Sequence, residues 1–171
     1  MSNCVACTDL KTLDLFHGDY ERYNNFLYFK IYLQQLTKPV LLFNNKQVKF
    51  KKFPIECEKE QAYFHLTTKA VGKDVPLSNR EPDLRRCERL HWIRPIIETN
   101  HMKSCTQPCF LRFEEEINGK NRINLFNKEE RYLIVLEDRT DYFLLITAFY
   151  IDTDYYLKSI MKRYARSVSK K

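Results

Sequence analysis

Glycine is scarce in this chain, 3 residues in 171, and none stands in a GxGxxG or GxxxxGK[ST] pattern. Backbone that cradles a nucleotide's phosphates depends on such glycines, so nucleotide-binding folds of those types are excluded. Long apolar runs are lacking too. The longest, from Tyr142 to Ile151, falls well short of the roughly 20 residues that span a bilayer. The opening MSNCVACTDLKTLDLFHGD has no basic start followed by an apolar stretch, so no secretion signal is expected. A cytoplasmic protein with no membrane partner is the expectation. Proline-rich linkers, low-complexity tracts and internal repeats are missing. No carboxylate-rich histidine cluster suggests a catalytic metal, and no cofactor is expected.

What is present suits one core with a small N-terminal addition. Apolar residues make up 44% and aromatics 14%, enough to bury a core without disulfides. Lys and Arg number 29 against 22 Asp and Glu, a net charge of +7. That excess favours a polyanionic partner, nucleic acid first, although solubility alone would also explain it. The six cysteines leave two readings open. Cys4-x2-Cys7 and Cys105-x3-Cys109 have spacings that zinc accepts, and would form one tetrahedral site if the fold joined them. Otherwise they are small apolar residues in a reducing compartment.

Hydrophobic periodicity predicts a helix from Asp19 to Leu36, ended by Pro39. Val40–Phe43 and Gln47–Phe50 flank Asn44-Asn45 and read as a hairpin. Residues 1–55 are thus an N-terminal helix-plus-hairpin extension, and 56–171 a second unit. AYFHLTTK, from Ala62 to Lys69, reads as a short strand. A helix follows, capped by Asp83 or else opened by Pro82, with Leu84, Cys87, Leu90 and His91 on one arc and Arg85, Arg86 and Arg89 opposite. Pro95 should break it near Arg94. Four strands then alternate with turns, Asn118-Gly119 the clearest. Asp152 or Asp154 caps a last helix with Leu157, Ile160, Met161 and Tyr164 inward. The fold class is α+β: N-terminal helix and hairpin, then a helix packed on a four-stranded antiparallel meander with a C-terminal helix.

The segments YFHLTTK, RRCERLHWIRPII, KNRINLF, RYLIVLED and DYFLLITAFYID resemble phage-associated members of the barnase–EndoU–colicin–RelE nuclease superfamily. The likeness covers roughly Ala62 to Arg166. It implies a helical part before a four-stranded sheet and a metal-independent endoribonuclease, a hydrolase of toxin or phage-defence type. Other members of that superfamily only bind partners.

Metal-free RNA cleavage uses the 2′-hydroxyl as internal nucleophile and leaves a 2′,3′-cyclic phosphate. A base takes its proton, an acid protonates the leaving 5′-oxygen, and cations stabilise the phosphorane. His65 is the first candidate, because histidine titrates near neutrality. On a strand it shares a face with Tyr63, Thr67 and Lys69. Arg86 and Arg89 would grip phosphate with bidentate forks. Thr147 lies on a strand expected to be central, on one face with Phe143, Leu145 and Phe149. It is either a β-branched strand residue or a hydroxyl facing the scissile phosphate. The catalytic set is His65, Arg86, Arg89 and Thr147. Thr67, Lys69, Arg85, Trp92 and Tyr150 are the substrate-binding set, Trp92 as a stacking platform. An acidic antitoxin or immunity protein would complement such a basic groove. Two other classes compete: a non-catalytic nucleic-acid- or protein-binding module on the same scaffold, and a zinc-stabilised adaptor.

Overall fold

A computed structural model describes residues 4–105 and 108–170. The chain is α+β. Helix α1, Tyr20–Asn25, is capped by Asp19, whose Oδ1 accepts from Arg22 N at 3.0 Å. It runs on as a π-helical segment, Phe26–Thr37, ending with Lys38 N donating to the Leu33 carbonyl five residues back. Arg94 donates to the orphan carbonyls of Gln35 and Leu36 at that helix end. Strands β1, Leu42–Phe43, and β2, Lys46–Lys49, follow. Asn44 and Asn45 between them have φ of 48° and 62°, the left-handed pair that a tight hairpin demands.

Two short ladders come next. Strands β3, Ile55–Glu56, and β4, Lys59–Glu60, pair with each other. Helix α2, Gln61–Thr67, leads into β5, Thr68–Lys69, which pairs with β6, Glu81–Pro82. The expected strand over AYFHLTTK is therefore a helix up to Thr67. Strand alternation does not hold there. Helical spacing instead buries Tyr63, Leu66 and Thr67 while leaving His65 half-buried.

The arginine-bearing segment is broken sooner than its proline suggests. Helix α3 spans Leu84–Cys87, with Asp83 as its cap, the first of the two expected starts. Arg89 leaves the helical region (φ −110°, ψ 4°), and α4 restarts over Ile93–Glu98. Pro95 occupies the third position of α4, where a backbone N–H has no intrahelical acceptor to lose. The break allows Leu90, Trp92 and Ile93 to be buried together.

Strands β7, Leu111–Ile117, β8, Lys120–Asn127, β9, Tyr132–Asp138, and β10, Phe143–Tyr150, form the expected antiparallel meander. The sheet is larger than four strands. The hairpin joins it through β2, parallel to β10, giving the order β1-β2-β10-β9-β8-β7. It curls until its edges approach, with the Arg112 guanidinium of β7 5.1 Å from the Phe43 ring of β1.

Two cores result. One face of the sheet, through Phe143, Leu145, Ile134 and Leu136, packs on the N-terminal helix, α2 and α4. The other, through Phe113, Phe126, Leu133 and Val135, is covered by α5, Asp154–Ser169, with Ile160 fully buried. The cap of α5 is Thr153, whose Oγ1 accepts from Tyr156 N at 3.2 Å, so the two neighbouring aspartates expected in that role are not the cap. No helix among the described residues is long and apolar enough to cross a membrane.

Candidate active site

The second neighbour of β10 ends early. Strand β2 pairs only with Phe143 and Leu144, and beyond them α2 and α3 pack against the unpaired edge. At this junction lies an open cleft of about 290 Å³, lined by Lys51, Gln61, His65, Leu144 and Ile146 from one side. Lys120, Arg122, Glu137 and Arg139 line the other.

His65 stands half-buried in the cleft. Burial first, then the neighbouring charges of Arg80, Lys51 and Arg86, lower its pKa below the ordinary histidine value. Each of these cations disfavours a second positive charge on the ring. The imidazole is thus held neutral, the form that accepts a proton. Arg86 also fixes the local backbone, its Nη1 donating to the His65 carbonyl at 2.9 Å.

The far wall is built from a register. Arg122 lies directly opposite Glu137 across β8 and β9. Glu137 is only 1% exposed, and its carboxylate lies 2.6 Å from Arg139 Nε, 3.5 Å from Arg122 Nε and 3.8 Å from Lys120 Nζ. Buried, it needs that compensation. One carboxylate shared by three cations leaves a surplus of positive charge at the cleft. Its Oε1 still lacks a hydrogen bond of good geometry, as do the buried Arg122 Nε and Gln61 Oε1.

The arginines of α3 and the turn after it form a different arrangement from an exposed stripe. Arg85 is exposed and pairs with Asp152 at 2.6 Å. Arg86 pairs with Asp83 at 3.1 Å and lies 5.4 Å from the Phe149 ring centroid. Arg89 is buried, 9% exposed, because the helix breaks at that position and turns it inward. It donates to the Arg85 carbonyl at 2.9 Å and sits between the rings of Tyr150 (4.6 Å) and Trp92 (5.3 Å). Tyr150 is half-buried and also lies beneath Arg85, 4.9 Å away.

Other expected site residues are placed elsewhere. Thr67 is 1% exposed, with Oγ1 donating to the Tyr63 carbonyl at 2.7 Å, a helix-internal bond that takes its hydroxyl out of the cleft. Lys69 is exposed on β5, paired in register with Glu81 and apart from the residues lining the cleft. Trp92 is 2% exposed, donates from Nε1 to the Thr8 carbonyl at 2.8 Å, and meets Tyr132 edge-on. No face of it is open for a base.

Thr147 answers to a bulge. The β10–β9 register slips between Leu145 and Thr147, leaving Ile146 as the extra residue. From there the faces exchange: Ala148 joins Phe143 and Leu145 in the first core, and Thr147 pairs opposite Val135 on the α5 side. It is half-buried and follows Ile146, which lines the cleft. The expected grouping of Thr147 with Phe143 and Leu145 fails because a bulge adds one residue and strand alternation cannot cross it.

The structure thus joins His65 and Arg86 directly, and sets Arg85, Arg89 and Tyr150 in an adjoining stacked cluster. Sequence reasoning missed Lys51, Gln61, Lys120, Arg122, Glu137 and Arg139. One signal was available for the far wall. Once the turn closes Asn127 on Tyr132, counting back along the hairpin puts Arg122 opposite Glu137. Among the described residues one trio of ligating side chains is close enough to share a metal, Cys4, Cys105 and Cys109, and none of the three lines this cleft.

No family model matches the chain, and neither a curated protein nor a solved structure matches it.

Proposed function

We propose that the protein is an endoribonuclease of toxin or phage-defence type, of the superfamily its strands resemble, cleaving RNA in the cytoplasm through a 2′,3′-cyclic phosphate. One observation carries this reading: a half-buried histidine kept neutral by burial and then by the surrounding cations, in a cleft whose opposite wall has surplus positive charge. The cations draw the phosphate backbone in. Neutral His65 takes the proton of the 2′-hydroxyl, and the freed oxygen attacks phosphorus. Arg122, Lys120 and Arg139 stabilise the charge that builds on the phosphorane. The 5′-oxygen departs with a proton drawn from solvent, leaving the cyclic phosphate. Arg86 acts as a positioning residue through the His65 carbonyl.

The partner that silences such a site would be acidic, as an antitoxin or immunity protein must be to cover this cleft. A second reading has its own support. Arg85, Arg86 and Arg89 are all committed to carboxylates and aromatic rings, which takes them out of phosphorane stabilisation and suits a non-catalytic nucleic-acid- or protein-binding module on the same scaffold.

The test is incubation of the purified chain with a mixed RNA pool in buffer without added divalent metal, followed by mapping of the cut ends. Cleavage ending in 2′,3′-cyclic phosphate is expected, and at least a hundredfold loss in His65→Ala, on the order of what a general base contributes. RNA that is bound with equal affinity by both proteins and cut by neither would overturn catalysis and favour the binding module.

A further inference from the structure

The N-terminal segment brings two cysteines into the core. Cys4 and Cys7 share one tight turn, closed by Cys7 N donating to the Cys4 carbonyl at 3.0 Å. Cys105 follows the 3-10 turn Asn100–Ser104, and Cys109 stands two residues before β7. About a hundred residues of chain separate the two pairs, yet the Sγ atoms of Cys4, Cys105 and Cys109 all lie within 4.8 Å of one another. Tetrahedral zinc, with Zn–S bonds of about 2.3 Å, holds its sulfurs about 3.8 Å apart. A contraction of about an ångström closes the trio around an ion.

Simple packing of thiols as apolar groups does not require three sulfurs to converge. A disulfide would use only two of them. A divalent cation is a common partner for all three sulfurs at once.

We propose that Cys4, Cys105 and Cys109 bind one structural zinc ion, with Cys7 supplying the fourth thiolate from the Cys4 turn. Thiolate donors select zinc over the hard cations magnesium and calcium. Cys7 now has the Asn127 amide 3.8 Å from its sulfur, deep in the core, and leaves that contact to ligate. The ion would tie the N-terminal turn to the approach to β7, beside the contacts of Thr8 and Asp9 with Trp92 and His91. Its role is to hold the fold together, away from the RNA cleft.

Metal content of the full chain, purified under reducing conditions and supplied with zinc, tests this directly. About one zinc per chain is expected, with loss of most of it in Cys105→Ser and Cys109→Ser and none in Cys57→Ser, whose exposed thiol lies outside the trio. Cobalt in place of zinc needs no variant. The wild-type chain should give the intense visible bands of a tetrahedral thiolate site, and added zinc should bleach them. Metal-free protein that binds neither ion, six-coordinate cobalt spectra, or a mass showing a disulfide within the trio after gentle reduction would each overturn the proposal. None of these readouts involves RNA, so they stand or fall apart from the nuclease reading.

Discussion

At the scale of single residues, His65 owes its behaviour first to burial and then to where its neighbours' charges fall. A histidine whose pKa is lowered stays unprotonated further down the pH scale. If it is the base, the acidic limb of kcat/KM lies below the ordinary histidine value of 6.5. Lys51 is exposed, so its side chain can be neutralised with little effect on packing. In Lys51→Gln one of the cations that lowers the pKa is gone, and the acidic limb should move up towards 6.5, read from a pH–rate profile. An unmoved limb would mean that another group is the base. The sign for stability follows from the same shift. The unfolded chain takes up the proton first as pH falls below 6.5, so the folded state loses stability from there down through the lowered pKa. His91 adds to this, since burial lowers its pKa to about 4. Its Nε2 faces the Asp9 carbonyl, which can only accept, so the buried and unpartnered Nδ1 is where a second proton would have to go.

Elements were legible from the sequence in proportion to how local their causes are. Both hairpin turns were, because Asn44-Asn45 and Asn118-Gly119 adopt the positive φ that few other residues accept. The meander was, because its strands alternate between strong turns. Helix α2 was not: Tyr-Phe-His-Leu-Thr-Thr has β-prone residues, and only packing against β10 and the N-terminal helix makes its helical face the buried one. The bulge at Ile146 has no glycine to mark it and reorders half a strand. Besides its apolar face, helix α5 has polar anchors: Ser167 Oγ bonds the Glu114 backbone, Asp154 pairs with Arg131, and Arg163 reaches Glu115. The Arg163 guanidinium binds both Glu115 oxygens, at 2.8 and 2.5 Å, and holds that carboxyl below its ordinary range. Arg163→Met should cost about 1–3 kcal/mol in urea unfolding, the range for hydrogen bonds to a charged group left half-buried. The loss should shrink as pH falls below 4.5, where Glu115 becomes neutral in the unfolded chain. An effect that is equal at all pH values would assign the anchor to packing alone.

On the scale of the whole molecule, the boundary expected near residue 55 runs through shared structure. Residues from both sides, Tyr23 and Leu27 with Tyr63 and Trp92, belong to one buried cluster, and β2 completes the sheet beside β10. The N-terminal segment is part of this core as well, through Cys4, Ala6 and Cys7. Trp92 is its polar latch. Trp92→Phe keeps an aromatic ring but strands the Thr8 carbonyl, and should lower unfolding free energy by about 1–3 kcal/mol. RNA affinity at fixed salt should not change in the folded variant. Weakened RNA binding with unaltered stability would instead mean that the indole stacks on a base.

The sequence by itself determined the α+β class, the two tight asparagine turns, the strand order of the meander and the basic balance of charge. Each of these is local or additive: a backbone conformation, an alternation, a sum. Tertiary structure alone decided that AYFHLT is helical, that Arg89 and Trp92 are interior, and that Thr147 turns to the α5 side. It alone brought Lys51, His65, Arg122 and Glu137 to one cleft and three distant sulfurs within reach of one ion. These outcomes depend on which apolar faces meet and on where a strand gains one residue. Neither is encoded in any short window of sequence, because burial is a property of the partner as much as of the residue.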